Sequence, residues 1–195
     1  MSATRHRGRL LQGVLAVLAL TGCTSQGGPQ IVPAGSRALL QEVPCGATGT
    51  AARPPALQVT ASGPYTVESV VDGDTIRISC NGTSTRVRLV GINAPESVKE
   101  DAPVECGGPE ASTFLHSLLD GQQVFLSADP AQGVRDKYDR LLAYVWTSDG
   151  TLANRTILEQ GHAEATGYGK PFAYGEDFTA AADHAKESKA GRWNC

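Results

Sequence analysis

This 195-residue chain has no CxxC pair, which argues against a zinc site, and His116, His162 and His184 have no partner motif nearby and read as exposed or structural residues rather than catalytic ones. Long apolar runs are missing too: the stretch after Arg9 is too short to span a bilayer comfortably. An excess of positive charge is also absent. Lys and Arg number 17 against 20 Asp and Glu, a formal charge of −3, so the surface as a whole repels nucleic acid. Polyanion recognition therefore has to come from a few basic groups focused in one cleft. No internal repeat is visible. What remains is 41% hydrophobic and 19% charged, the balance of a soluble globular protein, with 22 glycines and 11 prolines that favour loops. The length suits one domain and a tail.

The tail is at the front. "MSATRHRGRLLQGVLAVLALTGC" has a basic start at Arg5, Arg7 and Arg9 and then a short apolar core, the pattern of a signal peptide over residues 1–22. Its end, Leu20-Thr21-Gly22-Cys23, resembles the lipobox of bacterial lipoproteins, which implies acylation of Cys23 and anchoring on the outer side of the cell membrane. The alternative is an ordinary secretory signal cleaved nearby. Loss of three arginines with the signal takes the formal charge from −3 to −6. Residues 23–64, small, polar and rich in Pro and Gly, read as a flexible linker, with Cys45 as a point where part of it is pinned. Cys45, Cys80, Cys106 and Cys195 are an even set in an exported chain and imply two disulfides, in any of three pairings.

Regular structure begins at Tyr65. "YTVESVV", "TIRISC" and "TRVRLVGI" are β-rich, and Asn81-Gly82 between the last two suits a tight hairpin turn. "QVFLSA" (123–128) and "LLAYVWT" (141–147) supply two further strands. Between the third strand and "QVFLSA", Ala111, Phe114, Leu115, Leu118 and Leu119 form a helical stripe, opened by Pro109 and closed by Gly121. Two more helices fit "LANRTILEQ" and "EDFTAAADHAKESKA". Three strands, a helix, two strands and two helices predict a mostly β domain over 65–195: a five-stranded Greek-key barrel of the OB-fold type with three α-helices.

Chemistry gathers at the strand ends. In "VDGDTIRI" Asp72 and Asp74 flank a turn glycine, and an Asp-Gly turn alone decides little. Joined with "RLVGINAPE" it points to a hard cation: Asp74, the side-chain oxygen of Asn93 and the carbonyl of Ala94 are oxygen ligands of the kind calcium takes, in a low-charge and therefore weak site. Arg88 and Arg140 carry the planar fork of donors that fits phosphate oxygens; surface ion pairing is the plainer role for either. Glu96, behind Pro95, is placed to take a proton from water. "NGT" at Asn81 and "NRT" at Asn154 match a glycosylation pattern without force under a bacterial signal.

"VDGDT", "VRLVGINAPE", "CGGPEAS", "DKYDRLLAYV" and "LEQGHAEA", in this order, resemble the thermonuclease, or staphylococcal nuclease-like, family across about residues 65–193. The resemblance implies an OB-fold barrel that hydrolyses phosphodiester bonds in DNA and RNA, usually with calcium. It also implies that Asp74 is a metal ligand, Arg88 and Arg140 are phosphate-binding arginines, and Glu96 is the general base. Two departures stand out. Asn93 and Ala94 occupy the places of an aspartate and a threonine, which removes a charge from the metal site. In "ATGYGKPFAY" Gly167 and Gly169 fall where tyrosines often hold the nucleotide, leaving Tyr168 between them, either to stack on a base or to serve as a rim aromatic. In such a fold the C-terminal segment passes the first helix, which favours Cys106–Cys195 and, with it, Cys45–Cys80.

The expectation is an exported, membrane-anchored, calcium-dependent nuclease with DNA or RNA as substrate and no inferable protein partner. The rivals are a catalytically weak OB-fold module that binds strands without cutting, and a cell-surface interaction domain.

Overall fold

The computed structural model describes residues 40–43, 45, 57, 59–97 and 105–195. The signal segment, Cys23 and most of the stretch up to residue 56 lie outside them. The described chain forms β1 (Gln41–Glu42), β2 (Ser62–Asp72), β3 (Thr75–Cys80), β4 (Thr83–Leu89), β5 (Ile92–Asn93), α1 (Gly108–Leu119), β6 (Gln123–Ala128), β7 (Leu141–Thr147), α2 (Ala153–Glu159), β8 (Glu164–Ala165) and α3 (Gly175–Glu187), ending in a 3₁₀ turn, Gly191–Asn194.

β2, β3 and β4 make an antiparallel meander, with the predicted turn at Asn81-Gly82, both at positive φ (50° and 76°). β2 continues onto β6, β6 onto β7, and β7 runs parallel to β4, closing a five-stranded barrel. The eleven-residue β2 serves two neighbours because register shifts between Val67 and Ser69 and between Val70 and Asp72 let it curl. β6 and β7 are buried along almost their whole length, with α2 packed on β7 and β1 paired to β6, so their sequences run apolar rather than alternating.

The predicted helical stripe holds. Ala111, Leu115 and Leu119 of α1 are fully buried, and burying each leucine contributes about 2 kcal/mol. In α3, Phe178 packs on Tyr174 and Tyr144. Asn154 of α2 is fully buried: its amide donates to the carbonyl of Val90 at 2.8 Å and its oxygen accepts from Val145 N–H at 2.9 Å, pinning the bend after β4 to β7. The glycosylation pattern there is thus a packing residue.

Three features lay outside the sequence reading. β1 pairs with Ser127 and Ala128 where β2 leaves β6, and Leu40, Val43, Cys45, Leu57 and Val59 are buried, so part of the stretch read as linker packs on the barrel. β5 and β8 form a two-stranded ribbon beyond a break at Val90-Gly91, where a single longer strand was expected. The third helix stops at Glu187, and the segment after it packs against α1 and α3. Both favoured disulfides are present, Cys45–Cys80 and Cys106–Cys195, with Cα atoms 5.7 and 6.3 Å apart. Among the described residues no helix is long and apolar enough to cross a membrane.

His162 stacks on Phe114 with ring centroids 4.6 Å apart, and its Nδ1 has no hydrogen-bond partner among the described residues. Burial holds its pKa below the ordinary 6.5, with Glu110 opposing. Because the folded value lies below the unfolded one, the unfolded chain binds the extra proton first. Stability is therefore full above about pH 6.5 and is lost as pH falls through the folded value. Urea midpoints measured from pH 8 to pH 5 should fall less in His162→Leu than in the wild type.

Candidate active site

Strand register brings the charged residues to one end of the barrel. Arg88, near the end of β4, faces Thr75 at the start of β3 and Leu142 near the start of β7. Asp74 therefore lies across one edge of Arg88, and Arg140, just before β7, across the other. Gly73 allows the third approach: a Cβ there would sit 2.6 Å from the Cβ of Ala94 and 2.8 Å from that of Ala111, so a larger residue would push the Asp72–Asp74 turn off the loop that carries Asn93, Ala94 and Glu96.

The result is a cavity of about 160 Å³ lined by Asp72, Asp74, Arg88, Asn93, Ala94, Pro95, Glu96, Arg140 and Tyr168. All the residues selected from sequence as catalytic, metal-ligating or substrate-binding border this one space. Arg88 is its hub. Its Nη2 lies 2.8 Å from Asp74 Oδ2 and donates to Asn93 Oδ1 at 3.3 Å and to the Tyr168 hydroxyl at 2.7 Å; Nη1 donates to the carbonyl of Leu89 at 2.8 Å. Asp74 also accepts from Ala94 N–H at 3.0 Å and from the Thr75 hydroxyl at 2.9 Å. That hydroxyl in turn accepts from Arg140 Nη1 at 3.4 Å. Arg140 is aimed by Asp136, which receives its Nε at 2.7 Å and its backbone N–H at 3.0 Å.

Asp74 and Arg88 are both more than nine-tenths buried. A buried ion pair of this kind is weak evidence for stability, because desolvation consumes most of the attraction. Asp74 shows which effect wins: burial pushes its carboxyl up to about 6 even though Arg88 pulls the other way, with Asp72 adding to the rise.

The donor set fits a hard divalent cation. Asp72, Asp74, Glu96, the Asn93 amide and the Ala94 carbonyl offer oxygens only. Among the described residues no three acidic, His or Cys side chains cluster closely enough to hold an ion by themselves. An ion using Asp74 Oδ2 and Asn93 Oδ1 would compete with Arg88 Nη2, which occupies both.

Tyr168 projects from the loop after β8 at positive φ (49°), 68% exposed, with its hydroxyl donated to Asn93 Oδ1 at 2.9 Å. Asp129, buried at the end of β6, accepts from the Ala173 N–H and the Tyr144 hydroxyl, both at 2.8 Å, and so holds this loop against the barrel. Beside the cavity a groove of about 340 Å³ shares Arg88, Arg140 and Tyr168 and adds Arg135, Lys137 and Lys170. This is the focused basic cleft that an acidic protein needs to meet a polyanion.

Sequence reasoning missed Asp136 and Thr75 as parts of the site and left Asp72 as a turn residue. The spacing of Asp136 and Arg140 was visible, but on a loop it has no rule that pairs the two.

A barrel rim that holds two arginines and three carboxylates around one phosphate-sized space defines an OB-fold phosphodiesterase. The chain belongs to the staphylococcal nuclease homologue family, which residues 86–195 match. It is 35% identical to a thermonuclease of Staphylococcus hyicus over 130 residues, 67% of this chain and 75% of that protein. It is 43% identical to a thermonuclease of Staphylococcus intermedius over 104 residues, 53% of this chain and 60% of the relative. Endonuclease YncB of Bacillus subtilis (strain 168) is 33% identical over 130 residues, 66% of this chain and 61% of the relative. The chain thus spans about three-fifths of the length of the last two.

Proposed function

We propose that this nuclease hydrolyses phosphodiester bonds of DNA or RNA with calcium at Asp74, Asn93 and the Ala94 carbonyl, and that it is exported and anchored through an acylated Cys23. The observation that carries the reading is the convergence of Asp74, Arg88, Glu96 and Arg140 on one cavity. Bound calcium would supply Lewis acidity to a phosphoryl oxygen. Arg88 and Arg140 grip the phosphoryl oxygens and oppose the negative charge that grows as phosphorus becomes five-coordinate. Glu96 accepts a proton from the attacking water as the new P–O bond forms. The ester P–O bond breaks, and the departing oxygen takes its proton from solvent. Asp136 and Thr75 keep Arg140 turned inward.

A binding-only module is the second reading, favoured by Asn93, whose oxygen lacks charge and is already engaged by Arg88 and Tyr168. Cleavage assays on DNA and RNA separate the two. Activity that appears with calcium and is abolished by a chelator supports the enzyme, and tight binding with no cutting supports the module. Calorimetric titration of Asn93→Asp should show calcium affinity raised about tenfold, since a full charge replaces a dipole among the ligands; unchanged affinity would remove Asn93 from the ligand set. Metabolic labelling with a radioactive fatty acid, lost in Cys23→Ala, checks the anchor.

A further inference from the structure

The loop that carries Glu96 is fastened to the segment leading into α1. Glu96 and Glu105 exchange two hydrogen bonds: Glu105 N–H donates to the Glu96 carbonyl at 3.0 Å, and Glu96 N–H donates to Glu105 Oε2 at 3.3 Å. Gly108 closes the same contact, because a Cβ there would lie 2.4 Å from the Glu96 carbonyl oxygen. On its other side the segment meets the C-terminus. Cys106 is bonded to Cys195, and Gly107 lies against Arg192, whose N–H donates to the carbonyl of Gly161 at 3.0 Å. Residues 105–108 are therefore a wedge between the loop of the base and the final turn.

Glu105 and Cys106 are both exposed, so burial does not hold them. An exposed hydrogen bond competes with water and alone leaves such a segment free to shift; a covalent tie to a packed turn does not. Building on the reading of Glu96 as the base, we propose that Glu105 is a positioning residue for that carboxylate and that the Cys106–Cys195 disulfide is its anchor, so that turnover depends on this disulfide being formed. Displacement of a reacting group by about 1 Å costs up to about a hundredfold in rate, which leaves room for a large effect from a residue that touches no substrate. The dependence suits an exported chain, whose surroundings keep the bond oxidised.

The test measures kcat and KM of the full chain on single-stranded DNA with calcium, at a temperature where circular dichroism shows every variant folded. Glu105→Ala should lower kcat about tenfold with KM within twofold, whereas Glu105→Gln, whose amide oxygen still accepts the Glu96 N–H, should stay within twofold of wild type. Cys106→Ser with Cys195→Ser should slow turnover like Glu105→Ala. Cys45→Ser with Cys80→Ser, which frees the other disulfide, should lower the melting temperature and leave kcat intact. In a Glu96→Gln background Glu105→Ala should add nothing, as expected of two residues acting through one group. Wild-type kcat in Glu105→Ala, equal slowing by both cysteine pairs, or multiplicative losses with Glu96→Gln would each overturn the positioning role. Should Glu96→Gln itself cut at the wild-type rate, the base assignment falls and this proposal with it; a slow Glu96→Gln beside an unimpaired Glu105→Ala defeats the positioning alone. The two Glu105 variants keep the disulfide, so the test survives a cysteine variant that does not fold.

Discussion

Glu96→Gln should lower kcat about a thousandfold while KM changes by less than about threefold, because general-base assistance is worth about 10²–10⁴ in rate and the amide keeps the size of the side chain. Glu96 is half-buried, on a loop bounded by buried Pro95 and by the contact with Glu105. Its replacement touches none of the Asp74–Arg88–Asn93 contacts, so binding should survive. Steady-state cleavage of single-stranded DNA, paired with strand binding measured without turnover, checks this. Equal loss of binding and turnover would mean that Glu96 holds substrate or metal and does not move a proton.

Arg88→Ala carries the other large effect and acts twice. If Arg88 grips a phosphoryl oxygen as proposed, its loss should cost about 10²–10³ in kcat, the scale seen when one preorganised donor to a transition state is removed. Arg88→Lys should recover little, because an ammonium cannot offer two parallel donors. The substitution also strands Asp74. A buried pair broken on one side costs about 3 kcal/mol, but here the cost varies with pH. Asp74 already titrates near 6 beside Arg88, and without Arg88 its folded pKa rises further above the unfolded value. The native state then keeps its proton over a wider range, so the variant loses stability as pH rises and comes nearest to wild type in acid. Urea unfolding of both proteins at pH 5 and pH 8 should show a larger gap at pH 8; an equal gap at both would mean that solvent or another cation compensates Asp74.

The barrel was legible because its strands carry local signals. β3 and β4 are joined by a dipeptide that accepts positive φ at both positions, and α1 shows its stripe without help from the rest of the chain. β1, β5 and β8 were not legible: each is two residues long, below the length at which alternation can be seen. Burial within the supposed linker was hidden for a related reason. Leu40, Val43, Leu57 and Val59 are scattered among small and polar residues, and what gives them a place is the edge of β6 and the Cys45–Cys80 bond.

The site divides in the same way. Asp74, Arg88, Asn93, Glu96 and Arg140 stood out by residue type and motif order, but their partners did not. Asp136 and Thr75 are ordinary residues until the fold of the loop before β7 turns one onto Arg140 and strand register sets the other between Arg140 and Asp74. Tyr168 stood open between stacking and rim packing, and its hydroxyl proves to reach Arg88 and Asn93 from 80 and 75 residues away.

By itself the sequence determined the kinds of chemistry available: two fork-shaped cations, oxygen ligands for a hard ion, a carboxylate held by a proline, and strands and helices able to carry them. Only the tertiary structure decided who meets whom. The antiparallel pairing of β3 with β4 lays Arg88 beside Asp74, and barrel closure through the parallel pairing of β4 with β7 brings Arg140 to its other side. Hydrogen bonds and ion pairs act over a few ångströms of space, and distance along the chain does not report them.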